Sequence, residues 1–151
     1  MENVRGGHGN DVLTGSDLTN VLVGGDGADT LRGGDGRDVL IGGEGGDWLS
    51  GGGDDDILVG GKISLYDNAT SILYDNDDAS LRDIQRRWNR MPAVGYEARV
   101  DALRSYLPST GDHGDDEADT LLGDDGQDWF WGVDTDLDDL SDRDPSLETL
   151  N

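Results

Sequence analysis

GGHGNDVLT (6–14), GSDLTNVLV (15–23), GGDGADTLR (24–32), GGDGRDVLI (33–41), GGEGGDWLS (42–50) and GGGDDDILV (51–59) follow one another without a slipped residue. A seventh start, GGKISLYDN (60–68), loses the pattern. Glycine opens every unit, at 6, 15, 24, 33, 42, 51 and 60. The eighth position is always Leu (Leu13, Leu22, Leu31, Leu40, Leu49, Leu58), and the sixth is Asp except at Asn20 (Asp11, Asp29, Asp38, Asp47, Asp56). Low-complexity drift does not hold two positions at a fixed spacing, so this is an internal repeat. The register returns downstream at Gly114, Gly123 and Gly132, with Asp119 and Asp128 sixth and Leu121 and Phe130 eighth. The third of these units fails at Leu137.

The two halves of the nonapeptide ask for different backbones. Its first six residues carry glycines where positive φ is wanted, so they turn. Its last three, such as Val12-Leu13-Thr14, are apolar and β-branched, and strand alternation sends the Leu to one face and its neighbours to the other. A three-residue strand cannot bury one Leu alone. Two units per coil, with two facing strands and two turns, solve this, and such coils stack at the strand spacing of about 4.8 Å. The expected fold is mainly β, a solenoid of 18-residue coils.

Composition sets the surrounding limits. The 151 residues carry 34 acids against 11 Lys and Arg, a formal charge of -23, which argues against nucleic acid or an anionic membrane as a partner. With 25 glycines and 33% hydrophobic residues there is little material for a broad apolar core. The acids are 29 Asp and 5 Glu, which favours turns over helices. No Cys is present, excluding disulfides, thiolate metal sites and a cysteine nucleophile. Residues 1–10 contain no apolar signal region, and no run approaches the roughly 18 apolar residues of a membrane span, so any export is expected to use a signal that is not N-terminal and cleavable.

Between the repeat blocks the chain changes character. Residues 62–113 hold six arginines (Arg82, Arg86, Arg87, Arg90, Arg99, Arg104). Leu81, Ile84 and Trp88, then Val100, Leu103 and Leu107, recur at helical spacing, with Pro92 and Gly95 as breakers. The reading is an inserted α-helical hairpin at about 79–90 and 96–107, preceded by short strands near 63–66 and 71–74. The chain thus divides into a repeat block at 6–61, the insertion at 62–113, resumed repeats at 114–140 and an acidic C-terminal tail at 141–151.

Stacking aligns the sixth-position side chains into two columns, Asp11, Asp29 and Asp47 on one edge and Asn20, Asp38 and Asp56 on the other. Carboxylates about 5 Å apart repel by about 3 kcal/mol even at an effective dielectric near 20. A hard divalent cation between coils removes that repulsion. Ca²⁺ accepts 6–8 oxygens in flexible geometry, including the carbonyls that glycine turns offer, whereas Mg²⁺ demands a near-octahedral shell and Zn²⁺ wants nitrogen or sulfur.

These units resemble the RTX (repeats-in-toxin) calcium-binding β-roll family, matching its consensus GGxGxDxUx position by position over 6–59 and about 114–131. The resemblance implies a right-handed parallel β-roll with several Ca²⁺ ions held between successive turns. Its ligands are sixth-position carboxylates, here Asp11, Asp29, Asp38, Asp47, Asp56, Asp119 and Asp128. Loop carbonyls complete them, here those of Gly7, Gly9, Gly25, Gly27, Gly34, Gly36, Gly43, Gly45 and Gly52. The second unit departs from the consensus at Ser16, Leu18 and Asn20, so its site is expected to be weaker or missing. The resemblance further implies a bacterial protein, secreted or at the cell surface, exported by a type I system and folded outside. The helical segment followed by Asp128-Trp129-Phe130 is similar to a module near the ends of large RTX-like surface proteins, which implies a larger parent polypeptide.

Other readings are weaker. An EF-hand in the tail 134–145 fails, because Asp139 stands where Gly belongs and Pro145 where a bidentate Glu belongs. His8 and His113 are the only histidines and no phosphate loop is present, so no enzymatic role is expected. Trp48, Trp129 and Trp131 face outward from the coil, where packing against the hairpin competes with an adhesive, ligand-binding face. Full burial of these tryptophans favours packing. The arginines are expected to neutralise the acidic roll internally.

Overall fold

The computed structural model describes residues 2–62, 64–66, 72–74, 78–89, 95–104, 117–131 and 149–150, with backbone alone for 64–66, 72–74, 78 and 149–150. In chain order the elements are β1 (Glu2–His8), β2 (Val12–Thr14), β3 (Asn20–Asp26), β4 (Thr30–Asp35), β5 (Val39–Glu44), β6 (Trp48–Gly53), β7 (Ile57–Val59), β8 (Ser64–Tyr66) and β9 (Ile72–Tyr74). They are followed by α1 (Asp78–Asn89), α2 (Tyr96–Arg104), β10 (Thr120–Asp125), β11 (Trp129–Trp131) and β12 (Thr149–Leu150).

Alternate strands form two parallel sheets, as the two-units-per-coil arrangement requires. One runs β1-β3-β5-β7-β11-β12 and the other β10-β6-β4-β2. Every pairing within the repeats is offset by one 18-residue coil, for example Leu13↔Leu31 and Leu22↔Leu40. The solenoid continues across the insertion in the same register, since Leu121 pairs with Leu49 and Phe130 with Leu58. It also begins earlier than the first complete nonapeptide. Val4 pairs with Leu22 and packs against the interior, so Glu2–Arg5 supplies a strand that lacks the glycine signature.

The strands are longer than three residues. β3, β4, β5 and β6 run on into the first three positions of the next unit, and glycines pair across coils, Gly25↔Gly43 and Gly34↔Gly52. Turning is therefore confined to the fourth and fifth positions. A backbone without side chains can keep its ladder while two coils stay in contact, and this is what shortens the turn.

Two apolar layers result. The inner one consists of eighth-position residues from both sheets, Leu22, Leu31, Leu40, Leu49, Leu58, Leu121 and Phe130, with Val4 and Leu13 partly buried beside them. The outer one lies on the first sheet alone. There Val21, Val23, Val39, Ile41, Ile57, Val59, Trp129 and Trp131 are covered by Leu81, Ile84, Trp88, Tyr96, Val100 and Leu103 of α1 and α2. The second sheet leaves Val12 71% exposed and carries Thr, Arg and Ser on its outer face.

The expected helical hairpin is present, and β8 and β9 pair as an antiparallel ribbon. Residues 105–107 and 90–94, with Leu107 and Pro92, lie outside the described residues, as do Ile63, Ser71, His113, Gly114, Gly132, Leu137 and the stretch 134–145. Thr149–Leu150 adds a sixth strand to the first sheet, with Leu150 in register with Phe130. No helix among the described residues is long and apolar enough to cross a membrane.

Candidate metal centre

The sixth-position side chains sit where strand and turn meet, and the ladder holds each against the coil before it. Asp11 N donates to Asp29 Oδ1 (2.7 Å), Asp29 N to Asp47 Oδ1 (2.8 Å) and Asp47 N to Asp119 Oδ1 (2.7 Å). On the opposite edge Asn20 N donates to Asp38 Oδ1 (2.6 Å), Asp38 N to Asp56 Oδ1 (2.7 Å) and Asp56 N to Asp128 Oδ1 (2.7 Å). Two columns thus form, Asp11–Asp29–Asp47–Asp119 and Asn20–Asp38–Asp56–Asp128. All of these side chains except Asp11 are buried. The insertion does not interrupt either column.

Apart from Asp11, which begins its column, each carboxylate gives one oxygen to this ladder, and the other has a different environment. Asp29 Oδ2, Asp38 Oδ2 and Asp56 Oδ2 are buried and accept no hydrogen bond. Each lies beside the first glycine of its own unit, at a point also approached by the carbonyl oxygen of the first glycine one coil on. The pairs are Asp29 Oδ2 with Gly42 O, Asp38 Oδ2 with Gly51 O and Asp56 Oδ2 with Gly123 O. A Cβ on Gly24, Gly33 or Gly51 would fill that point. A buried carboxylate oxygen without a donor is an unstable arrangement that a cation or a proton relieves.

Burial makes the same statement electrostatically. Loss of hydration pushes Asp56 up to about 10, against the hydrogen bond from Asp38 N, and the charges of Asp128, Asp38 and Asp55 push the same way. Asp38 rises to about 7, again mainly through burial, with the hydrogen bonds from Asn20 opposing it. Asp29 is raised, burial first.

The glycines named from the sequence are placed one above another in the ends of the strands and in the turns that follow. Gly7, Gly9, Gly25, Gly27, Gly34, Gly36, Gly43, Gly45 and Gly52 all have positive φ, and they occupy the second and fourth positions. In the sixth and last units these positions fall to Asp54 (φ 71) and Asp124 (φ 67), which adopt the same left-handed backbone without being glycine. Among the described residues no three carboxylate or imidazole groups cluster as a ready-made metal site. A cation in either column therefore needs main-chain oxygens to complete its shell. The donor set is all oxygen and carries carboxylates, which fits Ca²⁺ and offers nothing to a thiophilic or imidazole-seeking metal.

Sequence reasoning missed the support beneath the even-unit column. Trp88 Nε1 donates to Asp55 O (2.6 Å), Tyr96 Oη to Asp128 O (2.8 Å) and Asn89 Nδ2 to Arg37 O (3.2 Å), so the hairpin grips the turn backbone beside Asp38, Asp56 and Asp128. The buried Arg99 pairs with Asp55 Oδ2, and Asp55 Oδ1 accepts from Gln127 N (3.0 Å). The readable signal was parity. Even units carry apolar residues at both the seventh and ninth positions (Val21 and Val23, Val39 and Ile41, Ile57 and Val59), whereas the first three odd units have Thr14, Arg32 and Ser50 at the ninth. Trp129 and Trp131 are fully buried in this layer, and Trp48 is partly exposed with the Arg32 guanidinium 4.8 Å from its ring. Of the insertion's arginines, Arg99 neutralises the roll, whereas Arg86, Arg87 and Arg104 pair within their own helices.

The family model described as the RTX calcium-binding nonapeptide repeat matches the chain four times, at residues 3–20, 14–49, 33–62 and 113–133. Neither a curated relative nor a solved structure matches the chain.

Proposed function

This chain belongs to the RTX calcium-binding nonapeptide repeat family, and on that footing we propose that it is a module of a secreted or surface bacterial protein that orders itself when Ca²⁺ binds between its coils. The observation that carries the reading is the second carboxylate oxygen. Asp29, Asp38 and Asp56 each bury an Oδ2 that accepts no hydrogen bond, beside the first glycine of its own unit. The ligands we assign are the carboxylates of Asp11, Asp29, Asp38, Asp47, Asp56, Asp119 and Asp128 with carbonyls of the second- and fourth-position glycines. A bound divalent ion supplies the positive charge that burial of these columns otherwise lacks, and its binding free energy adds to the folded state alone.

The consequence for the cell follows from charge and compartment. At low calcium the columns oppose folding and the chain remains extended enough to pass an export channel of the type I kind. At extracellular calcium the coils close around the ions. The module is structural in this reading, because its carboxylates are committed to the ladder between coils. An adhesive role for the outer tryptophans loses support, since Trp129 and Trp131 lie beneath the hairpin. Circular dichroism in chelator and then in millimolar Ca²⁺ tests the proposal. A chain disordered in chelator, gaining β structure cooperatively on adding calcium, is the expected result. A complete β spectrum in chelator with no shift in melting on adding calcium would falsify it.

A further inference from the structure

Within the two columns of sixth-position residues, the one position that lacks its carboxylate has been rebuilt around a different donor. Asn20 is fully buried, and its Nδ2 stands beside Gly15 as Asp38 Oδ2 stands beside Gly33. From there Nδ2 donates to Leu18 O, Ser16 O (2.9 Å), Asp38 Oδ1 (3.1 Å) and Gly33 O (3.4 Å). The orientation of the amide is fixed by these partners, because its oxygen in the same place would meet four acceptors. Asn20 Oδ1 instead faces the N–H and hydroxyl of Ser16, both at 3.4 Å.

The turn has changed to match. Ser16 and Leu18 hold the second and fourth positions, where the first, third, fourth, fifth and sixth units place residues with positive φ, and neither has positive φ. Their carbonyls meet the amide instead. Charge has changed as well. At the sixth positions of the second and fourth units there is one carboxylate, Asp38, and its Oδ1 receives both Asn20 N and Asn20 Nδ2. A single carboxylate with two donors has no repulsion for a cation to cancel.

We propose that the Asn20 carboxamide replaces the cation at this rung, so that the gap between units 15–23 and 33–41 closes without Ca²⁺ while the Asp–Asp gaps require it. The inference rests on the calcium reading of the other rungs. It makes the roll asymmetric: the even column starts with a metal-independent step, and the odd column does not.

Calorimetric titration with Ca²⁺ and urea denaturation at saturating Ca²⁺, on the full chain, test this with two variants. Asn20→Asp is expected to bind one more Ca²⁺ per chain than the parent, because it restores a second carboxylate. Asn20→Ala is expected to bind the same number as the parent and to unfold at lower urea, since it leaves Ser16 O, Leu18 O and Gly33 O without their donor. Loss of one Ca²⁺ in Asn20→Ala would show Asn20 to be a ligand and overturn the inference, as would unchanged stoichiometry in Asn20→Asp. A parent chain that binds no Ca²⁺ refutes the calcium reading instead. The amide's role then stands or falls on whether Asn20→Ala lowers the urea midpoint.

Discussion

Two glycines of the same type and position illustrate how much a single residue means here. Gly43 has φ 122, and a Cβ on it would overlap Gly25 O of the preceding coil. Gly7 has φ 143 and open space around it, because no coil precedes it among the described residues. Alanine at Gly7 therefore meets backbone strain alone, about 1–2 kcal/mol, whereas alanine at Gly43 adds an overlap with rigid main chain and costs about 3 kcal/mol or more. Urea denaturation in saturating Ca²⁺ checks the order, and equal losses would contradict coil-on-coil contact at the second position. Asp56 offers the complementary test. Asp56→Asn keeps the oxygen that accepts from Asp38 N and removes the charge whose burial is so unfavourable. It should stabilise the metal-free chain while reducing the calcium bound at saturation, and a variant that binds calcium like the parent would remove Asp56 from the ligand set.

At the scale of elements, the hairpin and the first sheet are one packing unit. Trp88 is fully buried, lies 6.3 Å from Trp129 and 6.0 Å from Tyr96 between ring centroids, and holds Asp55 O through its indole nitrogen. Trp88→Ala should cost about 3–5 kcal/mol, the range for truncating a buried aromatic. Because the same side chain steadies the turn beside Asp56, the loss should be accompanied by weaker calcium binding in calorimetry. Trp48→Ala, on the other sheet and partly exposed, should cost much less. If the two substitutions destabilised equally, the outer layer described here would not be what holds the insertion to the roll.

For the whole molecule the balance between charge and metal has a sign that can be worked out. In the metal-free roll Asp29, Asp38 and Asp56 hold their protons more tightly than the ordinary value of 3.8. The folded state then binds more protons than the unfolded one between about pH 4 and the raised values, so stability falls as pH rises through that window. Acidifying from pH 7 to about pH 4.5 in chelator should therefore favour the roll, and the gain should cease once the pH falls below 3.8. Calcium should act in the opposite sense, binding more weakly in acid because protons occupy its ligands. Urea midpoints across that range, with and without calcium, read both effects. A metal-free midpoint that rises with pH would contradict the burial of these carboxylates. The position-three side chains add a smaller term outside the columns. Lys62 Nζ lies 2.7 Å from Glu44 Oε1 and 3.7 Å from Asp26 Oδ1, and His8 Nδ1 lies 2.6 Å from Asp26 Oδ2, so Lys62 offsets two neighbouring acids along one edge.

The spacing of nine, with Leu at the eighth place and Asp at the sixth, determined by itself that strands alternate between two parallel sheets, that the leucines face inward and that the carboxylates form columns. These are consequences of periodicity, which a sequence carries in full, because each unit repeats its neighbour's environment. The departures at Ser16, Leu18 and Asn20 were visible in the sequence as well. What they build was not, since an amide takes the place of a carboxylate oxygen only once Gly33 O and Asp38 Oδ1 arrive from the next coil. Tertiary structure alone decided that Val4 starts the inner layer, that the hairpin grips Asp55 and Asp128, and that Thr149–Leu150 joins the first sheet. Each of those contacts joins residues with no repeat between them, and their pairing follows from which apolar surface was left uncovered.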